Sequence, residues 1–354
     1  MTIFQELRNS AAFADLCTVS ARLGREPLQV QGPGGNTSVK EGGAMLVKAS
    51  GTWLADAESK DIMVPVDIAR LRAALKAGDP AAEDNAAYVP ENENPSGLRP
   101  SIETSVHAIF DWPVVLHTHC VATIATAVRA DAAKVVEQRL GDLGAAFIPY
   151  VKPGLSLARA IDDAVGPETR VLVLGNHGLA VGAETAPQAE ALLREVSRRL
   201  TPDLTELPQW GAAKQGTPAG LAGAGWQVFD HPATTALARN QTILNRIEGA
   251  SFYPDHVIFL GPGLLVATDS EDMAGAVARA RQGAAQNLIV FPGLGAALPD
   301  DASPAVRALA GCIGEVALRL DPEAELVRLT AEQEADLLNW DAEKYRQSLE
   351  LGPS

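Results

Sequence analysis

The sequence lacks the features that mark disulfide-rich, membrane-spanning and secreted proteins. Its three cysteines, Cys17, Cys120 and Cys312, are far apart and form no CxxC pair, which predicts reduced thiols and a cytoplasmic location. No run of about eighteen apolar residues occurs, so we expect no membrane span. The first residues include acidic side chains in a helical pattern, which is not typical of a signal peptide.

Positive charge is also scarce. The chain has 29 Lys and Arg against 44 Asp and Glu, a formal net charge of −15. Such a surface argues against nucleic acid or an anionic membrane as the main partner. It does not exclude an anionic small molecule, because a single pocket can be locally positive. The 354 residues, 47% of them hydrophobic and 21% charged, are enough for two globular domains.

The residue pattern predicts an α/β protein in two parts. Helical patterns alternate with glycine-bounded strands up to residue 200, and Glu41-Gly42-Gly43 predicts a hairpin turn between strands 37–40 and 44–48. Residues 201–225 contain several prolines and glycines with little periodicity, as linkers do. We therefore predict a domain at 1–200, a linker at 201–225 and a small α/β domain at 226–354.

The C-terminal part contains two similar phrases, HVIFLGPGLLVATD from His256 and NLIVFPGLGAALPDD from Asn287. Each predicts an apolar strand, a Pro/Gly turn and then a helix. Nearer the end, Thr330 and Gln333 match a capping box, which predicts a helix that begins there.

Two of only six histidines, His117 and His119, lie one residue apart at the end of an apolar run. In a strand such residues point to the same face, so both imidazoles can bind one metal ion. His177, in the turn of LGNHGLAVG, is the best candidate for a third ligand. Three imidazoles suit zinc and leave a position open for substrate or water. Each histidine alone has an ordinary structural interpretation, but together they favour a metal site.

Glu103 lies near a predicted helix start. Ser101 is a good N-cap, and the helix should run to Phe110 with Glu103 in its first turn. A capping role would account for this acid, and the helix N-terminus would also attract a phosphate. His107, one turn later, should pack beneath the site and is not expected to bind the metal.

The glycine-rich stretch 32–37 is not a dinucleotide-binding motif. Thr37 stands where GxGxxG needs its last glycine, and the following residues predict a strand and not a helix. This turn and a second one at 49–52 can still offer donors to a phosphate. Each also fits an ordinary hairpin.

Five motifs in this order, GGNTSVK, KASG, PSIET, HTH and NHG, resemble the class II aldolase/adducin family. The likeness covers most of the chain and is greatest to the aldolase half of bifunctional rhamnulose-phosphate aldolase/alcohol dehydrogenase proteins. It implies a three-layer α/β/α sandwich on a mainly antiparallel sheet, with a small α/β domain appended. It also implies a homotetramer, because sites of this family commonly lie at subunit interfaces.

The resemblance also implies roles for single residues. His117, His119 and His177 match the ligands of one Zn2+ per subunit, and Glu103 matches the acid/base glutamate. The residues that match the phosphate-binding turns are Gly35, Asn36, Ser50, Gly51 and Ser101.

Two departures from the family pattern bear on these roles. Ile102 stands where simpler aldolases of the family often have a second serine, so one phosphate donor is absent. The family's proton-donor tyrosine has no clear match among Tyr88, Tyr150, Tyr253 and Tyr345.

The implied activity is a zinc-dependent cleavage of a ketose 1-phosphate to dihydroxyacetone phosphate and a short aldehyde. Zinc would polarise the carbonyl, Glu103 would shuttle a proton, and the phosphate turns would position the sugar. A ketopentose-phosphate 4-epimerase or a sugar-acid-phosphate dehydratase or decarboxylase uses the same groups, and the motifs do not separate them. A non-catalytic adducin-like interaction module would be expected to lose a ligand or the acid, and this chain keeps all four.

Overall fold

A computed structural model of the chain describes residues 1–202, 224–268, 273–282, 284–341 and 344–345. They form two compact units. Unit 1 comprises residues 1–123 and 131–200, and unit 2 comprises residues 124–130 and the described part of 201–354. The predicted linker lies mostly outside the described residues, and the domain bounds 1–200 and 226–354 remain a proposal. In the described part of the chain, every helix is too short or too polar to cross a lipid bilayer.

Unit 1 is built on a seven-stranded sheet with the strand order β3-β2-β1-β4-β7-β6-β5. All neighbouring strands are antiparallel except β5 and β6, as predicted for this fold. The strands are β1 Asn36–Glu41, β2 Ala44–Lys48, β3 Met63–Asp67, β4 Val114–Thr118, β5 Ala145–Ile148, β6 Val171–Leu174 and β7 Gly178–Ala183.

Helices cover both faces of this sheet, which confirms the predicted three-layer α/β/α sandwich. Helices α2 and α8 pack together on one face, and α3, α4 and α7 pack on the other. The helices of unit 1 are α1 Ile3–Arg8, α2 Ala11–Gly24, α3 Ile68–Ala77, α4 Thr104–Ile109, α6 Ala132–Leu140, α7 Leu155–Ala164 and α8 Ala186–Leu200, and α5 Val121–Ala127 runs from unit 1 into unit 2.

The hairpin of β1 and β2 is confirmed. Its turn residues Gly42 and Gly43 have φ of 54° and 91°, a region that side chains with a Cβ seldom adopt. The hairpin places β1 between β2 and β4, which contains His117 and is followed directly by His119. The turn therefore sets which side chains of β1 lie beside them.

Unit 2 contains a four-stranded sheet in the order β8-β11-β10-β9. Its strands are β8 Trp226–Phe229, β9 Leu265–Val266, β10 Ile289–Phe291 and β11 Gly295–Pro299. Its helices, within the described residues, are α9 Pro232–Ala238, α10 Gln241–Ile247, α11 Met273–Ala280, α12 Pro304–Arg319 and α13 Ala331–Leu338, with a π-helical turn at His256–Leu260.

The two C-terminal phrases fold differently from each other. The second forms the predicted strand (β10), turn and helix (α12), but the residues after the turn also form a strand, β11, which was not predicted. In the first, the residues predicted as an apolar strand, His256–Leu260, form the π-helical turn, and only Leu265–Val266 is extended. All five residues of that turn are buried, and a fully buried apolar run does not distinguish strand from helix by its periodicity. The predicted capping box of Thr330 and Gln333 is present at the start of α13.

Candidate metal centre

Three histidines meet at one end of the central strands of unit 1. His117 is in β4 and His119 follows it, while His177 lies in the turn between β6 and β7. Ring centroids are 5.1 Å apart for His117 and His119, and 4.9 Å apart for His117 and His177. One nitrogen from each of the three buried rings lies within 4.8 Å of the others. The arrangement brings together the three histidines that the sequence proposed as ligands.

The turn that carries His177 has strict backbone requirements. Asn176 has φ 51°, a left-handed conformation that Asn adopts more readily than most residues. Gly178 lies so close to β4 that an added Cβ would be 2.5 Å from the carbonyl oxygen of Thr118. The Asn-His-Gly sequence is thus explained by the close approach of this turn to β4.

The carboxylate of Glu103 faces two of the rings. Its Oε2 is 3.2 Å from Nε2 of His117, and its Oε1 is 3.4 Å from Nε2 of His177. Burial works to raise the pKa of Glu103, but the charges of His117 and His177 and a hydrogen bond from Asn36 bring it down to about 2. The group is therefore an anion at neutral pH.

The tautomer of His117 requires a proton or a metal ion between its ring and Glu103. Its Nδ1 is 3.0 Å from the carbonyl oxygen of Leu179 and must donate, since a carbonyl only accepts. A neutral His117 then directs the lone pair of Nε2 towards the carboxylate of Glu103. Two lone pairs at that distance repel, so either a proton or a metal ion must lie between them.

The donor set fits a divalent metal such as zinc. In a tetrahedral site with Zn–N and Zn–O bonds of about 2.0–2.1 Å, neighbouring ligand atoms are roughly 3.3 Å apart. The separations of 3.2 and 3.4 Å between Glu103 and the two imidazoles are close to that value. The bond from His117 to a backbone carbonyl is also the second interaction that metal-bound histidines usually make.

Ser101 and Glu103 differ from the prediction in one respect. Helix α4 begins at Thr104, Glu103 itself occupies the N-cap position, and its side chain makes no capping bond. Ser101 remains outside the helix because its backbone N–H donates to the carbonyl oxygen of Lys48 in β2. Its Oγ accepts a hydrogen bond from the N–H of Glu103. The capping interpretation of Glu103 was therefore wrong, and its carboxylate is available to the histidines.

The segments proposed to bind phosphate lie side by side. Ala49 pairs with Pro100 in a β-bridge, and the N–H of Ser50 donates to Arg99. Gly35 and Gly51 have φ of 62° and 74°. Because the N–H groups of Ser50 and Ser101 are already used, their hydroxyl groups and the glycine N–H groups remain as candidate donors.

Sequence reasoning missed Lys48. This buried lysine donates from Nζ to the carbonyl oxygens of Pro33 and Gly35, at 2.9 Å each. It thereby ties the glycine-rich turn to β2. The available signal was a lysine at the end of an otherwise apolar, fully buried strand, where a charged side chain needs specific partners.

Comparison with known proteins identifies the family. Residues 14–200, more than half of the chain, match the family described as Class II Aldolase and Adducin N-terminal domain. The chain belongs to the class II aldolase and adducin family. All three histidines and Glu103 lie in the matched region of this family member.

Individual relatives are more distant. An uncharacterized oxidoreductase, YuxG, of Bacillus subtilis strain 168 is 29% identical over 168 residues, which are 43% of this chain and 24% of that protein. The chain thus matches about a quarter of that relative's length. A class II aldolase domain from Thermoplasma acidophilum is 26% identical with a TM-score of 0.48, covering 54% of this chain and 92% of that one. An L-fuculose-1-phosphate aldolase from Thermus thermophilus is 18% identical with a TM-score of 0.35, covering 53% and 91%.

Proposed function

We propose that this class II aldolase family protein is a zinc-dependent lyase that cleaves a ketose 1-phosphate to dihydroxyacetone phosphate and a short aldehyde. The observation that carries the proposal is the cluster of His117, His119 and His177, with the ionised carboxylate of Glu103 beside two of the rings. A bound zinc ion would act there as a Lewis acid on the carbonyl and neighbouring hydroxyl oxygens of the sugar.

The chain's own groups would then handle position and protons. His117, His119 and His177 hold the ion in place. The C4 hydroxyl would lose its proton to solvent as the C3–C4 bond breaks and C4 becomes the aldehyde carbon. Glu103 would then give a proton to the sugar's C3, and would remove it in the reverse reaction. The pKa of Glu103 must rise for this role, and it would do so if substrate binding moved the carboxylate away from the positive charge of the site.

The phosphate of the substrate would bind at the adjoining turns. We assign this role to Gly35, Gly51 and the hydroxyl groups of Ser50 and Ser101. The bridge of Ala49 to Pro100 joins the segments of the two serines, and Lys48 binds the carbonyl oxygen of Gly35. Their contribution is to orient the sugar, and they take no part in bond breaking. The side chain of Asn36 faces Glu103 in this structure, so we assign it to the carboxylate and only its backbone to the phosphate.

Assembly and location follow the family resemblance. We propose a homotetramer in the cytoplasm that acts on a small phosphorylated sugar and does not bind nucleic acid. Three free cysteines, of which Cys120 and Cys312 are buried, support a reducing compartment.

Release of dihydroxyacetone phosphate from a panel of ketose 1-phosphates, with and without a chelator, tests the proposal. We expect release that stops when the metal is removed and returns with added zinc. Product that forms equally well with chelator present would contradict the metal-dependent mechanism. A metal-loaded protein that is inactive on the whole panel would favour the 4-epimerase or the dehydratase or decarboxylase, which chiral product analysis can distinguish. A protein that binds no metal would favour the non-catalytic adducin-like interaction module.

A further inference from the structure

One face of β1 is directed at helix α4. Asn36, Ser38 and Lys40 alternate along the strand, so their side chains lie on the same face. Ser38 Oγ is 2.7 Å from Nδ1 of His107, and Lys40 Nζ donates to the carbonyl oxygens of His107 and Phe110 at 2.7 and 2.5 Å. Through these bonds, the Asn-x-Ser-x-Lys pattern of β1 binds the side chain of His107 and two backbone carbonyl oxygens at the C-terminal end of α4.

The same face contacts the carboxylate of the metal centre. Asn36 Nδ2 donates to Oε2 of Glu103 at 2.8 Å, and Asn36 Oδ1 is hydrogen-bonded to Nε2 of His107. Ser38, His107, Asn36 and Glu103 are all buried. They form one continuous hydrogen-bond network that runs from Ser38 to Glu103.

With a neutral His107, only one arrangement of protons satisfies this hydrogen-bond network. The carboxylate of Glu103 can only accept, so the NH2 group of Asn36 must face it and the amide oxygen must face His107. His107 must then carry its hydrogen on Nε2, and its Nδ1 accepts from the hydroxyl of Ser38. Burial and the charge of Lys40 lower the pKa of His107 to about 3, so the ring is neutral under ordinary conditions.

We propose that Ser38 and His107 are positioning residues that fix the amide of Asn36 so that it donates to Glu103. A reversed amide would place its oxygen against the carboxylate and repel it. His107 is not a metal ligand, because Asn36 separates it from the histidine cluster. The proton arrangement follows from the hydrogen-bond geometry around a neutral His107, whereas its effect on turnover rests on the proposed function.

Joint neutron and X-ray crystallography of the zinc-loaded protein in heavy water tests the arrangement directly. We expect deuterium on Nε2 of His107, none on Nδ1, and the ND2 group of Asn36 directed at Glu103. Deuterium on Nδ1, or an amide oxygen facing the carboxylate, would overturn the proposal. This result does not depend on the protein's activity, so failure of the proposed function and failure of this inference are separate.

Substitutions test the effect on turnover. His107→Leu fills the space without a donor, whereas His107→Gln keeps an N–H near the position of Nε2. A hydrogen bond to a charged group corresponds to about 10- to 100-fold in rate, so we expect His107→Leu to lower kcat by that factor with KM and metal content within about twofold. His107→Gln should recover most of the loss.

Ser38→Ala is a smaller change in the same hydrogen-bond network. It keeps the proposal testable if the His107→Leu variant does not fold. It removes the donor that holds Nδ1 of His107 as an acceptor, so we expect a lower kcat with unchanged KM and metal content. Equal losses in His107→Leu and His107→Gln, or wild-type kcat in Ser38→Ala, would show that these residues only fill space.

Discussion

Under the proposed function, the carboxylate of Glu103 would have two competing uses, as a partner of the metal ion and as a proton donor. In this structure it lies 3.2 and 3.4 Å from the nitrogens of His117 and His177, with a pKa of about 2. An acid held so firmly as an anion is a good partner for a cation but a poor proton donor. Under the proposed function, Glu103 would therefore have to leave the positively charged part of the site on substrate binding before it could transfer a proton.

Replacing Glu103 with glutamine separates these uses. The amide of Glu103→Gln cannot take up or release a proton, so we expect kcat to fall by about 10²- to 10⁴-fold. Bound metal should stay close to the wild-type amount, because the three imidazoles remain. The exposed Glu58→Gln is the matched control and should be fully active. A loss of less than about tenfold in Glu103→Gln would rule out the acid/base role.

His119 contributes to the site through its imidazole alone, so its removal should affect metal content first. We expect His119→Ala to lose stoichiometric zinc, measured by mass spectrometry of the dialysed protein, and to lose activity with it. His231→Asn changes a histidine of unit 2, which stacks on Phe229, and should retain full metal content. Retention of one zinc per chain in His119→Ala would exclude His119 as a ligand.

At the level of single residues, the sequence predicted that the three histidines come together, but it did not predict the hydrogen-bond partners of the residues around them. The spacing of His117 and His119 is a local property of a strand, and the turn with His177 ends another strand, so both can be read along the chain. The partners of Asn36 come from residues 67 and 71 positions away. Such contacts depend on how α4 packs on β1, and no local pattern encodes them.

At the level of elements, the contact between β1 and α4 includes a buried amino group, that of Lys40. Lys40 is partly exposed as a residue, but its ammonium group lies inside, on two carbonyl oxygens of α4. Burial lowers the pKa of Lys40 from 10.5 to about 7. Between these two pH values the unfolded chain binds more protons at this position than the folded one does.

Stability should therefore rise with pH through this range, as far as Lys40 contributes. We expect the free energy of unfolding of the wild type, relative to Lys40→Met, to increase between pH 7 and pH 9 by on the order of 1 kcal/mol per pH unit. The methionine keeps the aliphatic stem and removes the titrating group. Denaturant unfolding at both pH values measures the difference, and a constant difference would mean that Lys40 keeps its ordinary pKa in the fold.

The elements themselves were predictable to different degrees. The hairpin of β1 and β2 follows from two adjacent glycines between strand-like runs, and helix α13 begins at the expected capping box. The start of α4 was misplaced because Ser101 bonds to Lys48, a contact between distant segments. The turn at His256–Leu260 was misassigned because its residues are buried on every side, which removes the contrast on which periodicity depends.

At the level of the whole molecule, the metal centre lies entirely in unit 1. Metal binding to the folded state should therefore stabilise this unit. At a free zinc concentration about 100 times Kd, the gain is roughly 2.7 kcal/mol, or a shift of about 5–10 °C in the melting transition that includes unit 1.

Differential scanning calorimetry with zinc and with chelator measures this shift. His119→Ala should show little change between the two conditions. A wild-type transition that does not respond to zinc, or an equal response in the variant, would contradict binding at the three histidines.

The nitrogen-rich donor set also has a consequence for how the protein obtains the correct metal. Cys120 directly follows His119, but its Sγ donates to Ser197 Oγ, so the cluster gains no sulfur from it. Sites of imidazole and carboxylate bind copper and nickel readily, and copper generally binds more tightly than zinc. If zinc is the working metal, as proposed, correct loading would depend on the cell keeping free copper and nickel scarce, and protein overproduced in medium rich in either ion should carry that ion instead.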